Sequence, residues 1–265
     1  MRTSLFGSVI GTLFFVLAAG CSSPVDDRDA DTASESALTT STKLSAAELA
    51  DTKAELRAIA YANIEQMRDF DGVRAEIQPL VDKLAKHFGR RPASAKVPLV
   101  AGAWHQIWSD FPYPGTSLIK MDPRQVYQVV SSDGHYYNLG DQRAFYVLPT
   151  TGILRGAWEL DGDALRVHFT DVGFRFGRLK RNADLVEMAD ELESGDLSKL
   201  GLPGGGAAPK GPVGIYGSLE TLYVDADLRI ERGSQDDYLD ASGNVLVPGT
   251  TDKLFILDRV NVPVK

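Results

Sequence analysis

From residue 99 to residue 258 the chain consists of short stretches in which apolar and polar residues alternate, and this alternation restricts it to sheet structure. Leu99–Phe111, Gln125–Ser131, Tyr136–Gly140, Ala144–Leu148 and Ile153–Leu160 are candidate strands. So are Leu165–Phe176, Val213–Tyr216, Thr221–Val224, Leu228–Glu231 and Leu254–Asp258. Successive side chains of a strand point to opposite faces, so each stretch presents one face to a core. Turn formers separate them, among them Asp133-Gly134, Asp161-Gly162-Asp163 and the run from Asp240 to Gly243. Many short strands at roughly even spacing predict an antiparallel sandwich or barrel. Leu165, Val167 and Phe169 share one parity, and Val172, Phe174 and Phe176 take the other. A bulge or bend near Asp171 would produce that switch and would suit a strongly curved sheet.

Helical periodicity precedes the strands. Ser45-Ala46-Ala47-Glu48 has the spacing of a capping box, with Ser at the N-cap and Glu three residues on. Leu49, Leu56, Ile59, Ile64 and Met67 follow at near-helical spacing. After Asp71-Gly72, a second stripe of Val73, Ile77, Leu80, Leu84 and Phe88 closes at Gly89, with a kink or a helix start expected at Pro79. Two helices that pack on the following domain are the reading, with one more at Ala183–Leu192 before a Gly-rich loop over 201–211.

Cys21 is the only cysteine. It follows Arg2, an apolar run from Leu5 to Leu17 and the small residues Ala18, Ala19 and Gly20. That order is a secretory leader. The apolar run is shorter than the roughly 20 residues that a membrane-spanning helix needs. A cysteine at the first mature position resembles a bacterial lipobox, although Ala18 stands where that motif usually has Leu. The expected organisation is a leader over 1–20, a disordered tether over 21–44 rich in Asp, Ser, Thr and Ala, and a domain over 45–265. Acyl chains on Cys21 would make the membrane a partner. Ser22 points to the outer membrane of the cell envelope, facing the periplasm. An acylated Cys21 leaves no thiol for a disulfide or a metal, and the formal net charge of −8 argues against nucleic acid.

No catalytic constellation is visible. His87, His105, His135 and His168 have no metal-ligand spacing, and no Gly-x-Ser-x-Gly, Walker or dinucleotide fingerprint occurs. A non-enzyme without cofactor or metal is therefore expected. Two features stand out instead. Gly102-Ala103-Trp104 opens the first strand after the helices. In the run Leu222 to Gly233, Leu222, Val224, Leu228 and Ile230 share one parity while Asp225, Asp227, Arg229 and Glu231 share the other. That charged set reads as the exposed face of a hairpin, or as an Asp–Arg alternation fixing two strands by charge-assisted hydrogen bonds.

Taken together, Gly102-x-Trp104 and the Tyr223-to-Gly233 run, followed by Leu254-Phe255-Ile256-Leu257, resemble the plastid lipid-associated protein/fibrillin family over about residues 54–260. The resemblance implies a mainly β (α+β) fold, a lipocalin-like antiparallel β-barrel preceded by N-terminal helices. It also implies association with lipids, carotenoids or prenyl quinones. Trp104 matches the opening motif; Asp225, Asp227, Leu228, Arg229, Arg232 and Gly233 match the closing one. By analogy with lipocalins, Arg229 or Arg232 would stack on Trp104 at the barrel's end. Two departures stand out: the segment from Ser234 to Lys253 is longer than the family's turn, and Gln106 occupies an expected apolar position. The candidate barrel-closing or pocket residues are Trp104, Gln106, Trp108, Tyr127, Tyr146, Trp158, Asp225, Arg229 and Arg232, with core packing as the plain alternative for any single aromatic. The expected function is an envelope lipoprotein that binds or carries a lipophilic small molecule. Its rivals are a scaffold with a filled barrel that binds a protein partner, and an enzyme acting on a lipid.

Overall fold

The computed structural model describes residues 43–65, 70–111, 119–144, 147–194, 213–239, 242–262 and 264. Cys21, the leader, Tyr146 and the Gly-rich loop lie outside them. Helices α1 (Ala46–Ala62), α2 (Phe70–Phe88) and α3 (Ala93–Val100) lead into strands β1 (Gly102–Ser109), β2 (Ile119–Val130), β3 (His135–Ala144), β4 (Leu148–Asp161) and β5 (Ala164–Phe176). Helix α4 (Ala183–Ser194) precedes β6 (Tyr216–Val224), β7 (Leu228–Gln235), the short β8 (Tyr238–Leu239) and β9 (Val245–Val247), and β10 (Thr250–Val260). Eight strands close into an antiparallel barrel in the order β1-β10-β7-β6-β5-β4-β3-β2, while β8 and β9 form a separate hairpin. The barrel is an up-and-down meander closed by β1 against β10.

Closure decides which alternating face is inside. Ala103 to Ser109 of β1 pair with β10 and, at the start, with β2, with a register shift between Gln106 and Trp108. That shift keeps Trp104 and Gln106 inward and turns Trp108 outward. On β5 the pairing steps from Arg155↔Asp171 to Gly156↔Phe169, so Thr170 is the extra residue. This bulge re-aims the strand between its two apolar parities. Of the candidate strand 213–216 only Tyr216 is in a strand, β6, which also takes in 221–224 and has a shift between Thr221 and Tyr223. The candidate strand Ala144–Leu148 straddles the β3–β4 link instead.

The outer wall is covered on two sides. Tyr223 pairs with Ile230, Ile230 with Ile256 and Ile256 with Trp108, an apolar row across four strands. It belongs to one buried cluster with Leu56 of α1 and Val73, Ile77, Val81, Leu84 and Phe88 of α2. Helix α2 runs unbroken through Pro79, which lies on its exposed side. The capping box at Ser45 forms, with Ser45 and Glu48 exchanging side-chain and backbone bonds. On the opposite wall, Leu185, Met188 and Ala189 of α4 pack with Val129, Tyr137, Leu139 and Ile153.

Helix α3 occupies residues whose C-terminal end reads as the start of a strand. It has no side-chain cap, and Pro98 sits inside it. Tertiary contacts hold it: Ala93, Lys96 and Val100 are buried, Ala93 N–H donates to the Gly162 carbonyl, and Lys96 reaches the Asp163 carbonyl at 3.3 Å. It lies across one end of the barrel. The hairpin turns at that end are tight, at residues 131–134, 162–163 and 225–227. Every long link, at residues 110–118, 177–215 and 236–249, emerges at the other end.

Candidate functional site

At the tight-turn end, Trp104 is fully buried and its indole N–H donates to the Val100 carbonyl at 2.7 Å. Two guanidinium groups stand over its ring, Arg259 at 4.0 Å and Arg229 at 5.6 Å. Arg259 also donates to the carbonyls of Ala101 and Leu99 at 3.0 and 2.6 Å. Gly102 has φ +139°, and a Cβ there would run into the Arg259 guanidinium. Gly102-x-Trp104 thus places the indole and makes room for the cation over it. This stack plugs the end.

Arg232 does not take part. It pairs from the outer wall with Asp252 at 2.9 Å and Glu220 at 3.5 Å. Asp225 is likewise outside the barrel. It accepts from the backbone N–H groups of Asp227 and Leu228 and from Lys53 of α1 at 2.6 Å. Burial pushes its carboxyl up, but hydrogen bonds with Asp227, Lys53 and Tyr223 outweigh that and hold it well below the carboxylate range. Arg57 extends the clamp, reaching Asp258 at 2.7 Å and the Asp227 carbonyl at 2.8 Å. The charged parity of the hairpin is therefore exposed only at its turn, at Asp227. Its Asp225–Asp227 turn is clamped by α1, while Arg229 and Glu231 are fully buried inside the barrel and form an ion pair. Burial raises the Glu231 pKa against the pull of Arg229.

Above this plug the barrel holds a cavity of ≈ 100 Å³. Val126, Leu154, Val167, Phe169, Leu219 and Phe255 form its apolar wall, and Gln106, Gln128 and Asn138 supply amides. Gln128 is paired across the sheet with Trp104 on one side and Asn138 on the other, which puts these amides near the plugged end. Ser218, Ser234 and Gln235 line the cavity near the end of the long links. Wall glycines keep the centre open: a Cβ on Gly233 would lie 2.7 Å from Phe255 Cε2, and one on Gly140 would lie 2.6 Å from Met121 Cε.

Of the described aromatic candidates, Trp104, Trp108, Tyr127 and Trp158, none lines the cavity. Trp104 and Trp158 belong to the plugged end, Trp158 donating to the Ser131 carbonyl at 3.1 Å. Trp108 is buried in the outer wall beneath α1 and α2. Tyr127 stands on the outer wall beside the α4 cluster, 4.9 Å from the His105 ring. The cavity's own aromatics, Phe111, Tyr136, Phe169 and Phe255, were absent from the sequence-based set. So were Gln128 and Arg259. Gln128 carried a readable signal, an amide at inward parity between Val126 and Val130.

Among the described residues no three His, Cys, Asp or Glu side chains converge as a metal site, and no helix is long and apolar enough to cross a membrane. No protein-family model matches the chain, and no curated protein matches it. A plugged, eight-stranded barrel with a largely apolar cavity is an arrangement suited to enclosing one small molecule.

Proposed function

We propose that this chain carries a lipophilic small molecule at a bacterial cell envelope, held there by acyl chains on Cys21. The observation that carries this reading is the cavity. It is walled by side chains such as Leu154, Phe169 and Phe255, and it lies between the Trp104 plug and the end from which the long links emerge. Burying a ligand's apolar surface against such a wall is worth about 25 cal/mol per Å² removed from water. The likeness of Gly102-x-Trp104 and the Tyr223–Gly233 run to the plastid lipid-associated protein/fibrillin family supports the same class of ligand. A filled barrel serving as a scaffold fits an open interior less well.

The test is organic extraction of the full chain purified from its own membranes, followed by mass spectrometry of the extract. A lipophilic compound should be recovered in proportion to the protein and should be lost from a Leu154→Trp variant that fills the cavity. Equal amounts of the same lipids with both proteins would contradict the proposal.

A further inference from the structure

Among the described residues, the cavity lining contains no Lys, Arg, His, Asp or Glu. In the plug below it, Arg229 and Glu231 pair with each other, and Arg259 is engaged by the Trp104 ring and two backbone carbonyls. A charged head group would be desolvated there with no counter-charge, at a cost of many orders of magnitude in affinity. The lining is not uniformly apolar either. Gln128 is 3 % exposed, and among the described residues its Oε1 has no hydrogen-bond partner. Beside it, Asn138 Oδ1 already accepts from the Tyr136 hydroxyl at 2.9 Å, which leaves Gln128 as the open acceptor of that amide group.

We propose that the cavity selects an uncharged ligand bearing a hydroxyl group, seated head-down with the hydroxyl donating to Gln128 Oε1 and the apolar tail running past Phe169 and Phe255 toward the mouth. This deepens the carrier reading and rests on it. A hydroxyl both donates and accepts, so it satisfies the Gln128 amide in either orientation of its oxygen and nitrogen. A plain hydrocarbon leaves that buried acceptor unmet, and a carboxylate brings a second acceptor and an unpaired charge.

The test uses decanol, decane and decanoate, each competing with a fluorescent apolar dye bound to the delipidated full chain, at a pH where decanoate is ionised. Decanol should compete at least tenfold better than decanoate. In Gln128→Met, a near-isosteric change, the ratio of decanol to decane affinity should fall about five- to tenfold. Should that variant fail to fold, the wild-type comparisons decide: decanol should compete better than both decanoate and decane, and decane competing as well as decanol would overturn the inference. Decanoate binding as well as decanol, or a ratio unchanged by Gln128→Met, would overturn the inference and leave the carrier reading standing. If none of the three displaces the dye, and the dye itself does not bind, the carrier reading falls with it.

Discussion

Trp104 is fixed by a hydrogen bond to Val100 at its edge and by Arg259 over its face. Truncating it to Ala removes the largest fully buried side chain and should cost about 3–5 kcal/mol in urea unfolding. Arg259→Met loses the cation–π contact and two carbonyl bonds, and should cost about 2 kcal/mol. Arg229 and Glu231 obey a different rule, because their charges are paired and fully buried. Either Arg229→Met or Glu231→Leu alone should destabilise by about 3–5 kcal/mol, and the double variant should recover most of that loss. A double variant as unstable as the sum of the singles would show that the pair does not act as a unit. Trp104 was legible from the sequence because a glycine two residues before an inward Trp is a local pattern. Arg259 was not, since its place over the indole exists only once β10 closes on β1. By alternation alone Arg229 and Glu231 read as the exposed face of a hairpin, because charge is rarely buried; the lipocalin analogy did place Arg229 against Trp104, but the burial of Glu231 shows only in the closed register.

At the scale of elements, α1 is tied to the β6–β7 turn and to β10 by Lys53 and Arg57. Asp225 is the hub, and its pKa is depressed in the folded chain. Its contribution is therefore full above the ordinary carboxylate pKa and is lost as pH falls below about 4. Asp225→Asn should lower stability at neutral pH and flatten the acid side of a stability–pH profile followed by circular dichroism. An unchanged acid limb would contradict the clamp. Helices α1, α2 and α4 were legible because they carry periodic stripes, and α1 a capping box as well. Helix α3 was not. It is short, contains Pro98 and lacks a side-chain cap, so packing over the barrel's end, rather than propensity, keeps it helical. The strands were legible as alternation, but β6 runs from Tyr216 through a register shift at Thr221/Tyr223 that periodicity alone does not reveal.

For the whole molecule, the division of labour between the barrel's ends is the principal result. Tight turns, α3 and the Trp104 stack close one end, and the long links gather at the other. Exposed apolar residues also lie at that second end: Val147, Leu148 and Phe176 beside the β3–β4 link, and Leu239 and Val245 on the β8–β9 hairpin. A barrel was legible as one of two sheet architectures; its cavity was not, because the lining comes from side chains of eight strands brought together only by closure. With the proposed anchor, Cys21→Ser should move the protein from the membrane to the soluble fraction, as followed by fractionation. Uncleaved, membrane-bound protein would instead count against acylation. The most direct test of a ligand-carrying barrel is the intact mass of the full chain released gently from its membranes, measured under native conditions. One bound lipophilic molecule per chain, absent from Leu154→Trp, is the result expected; a bare chain in both would contradict it.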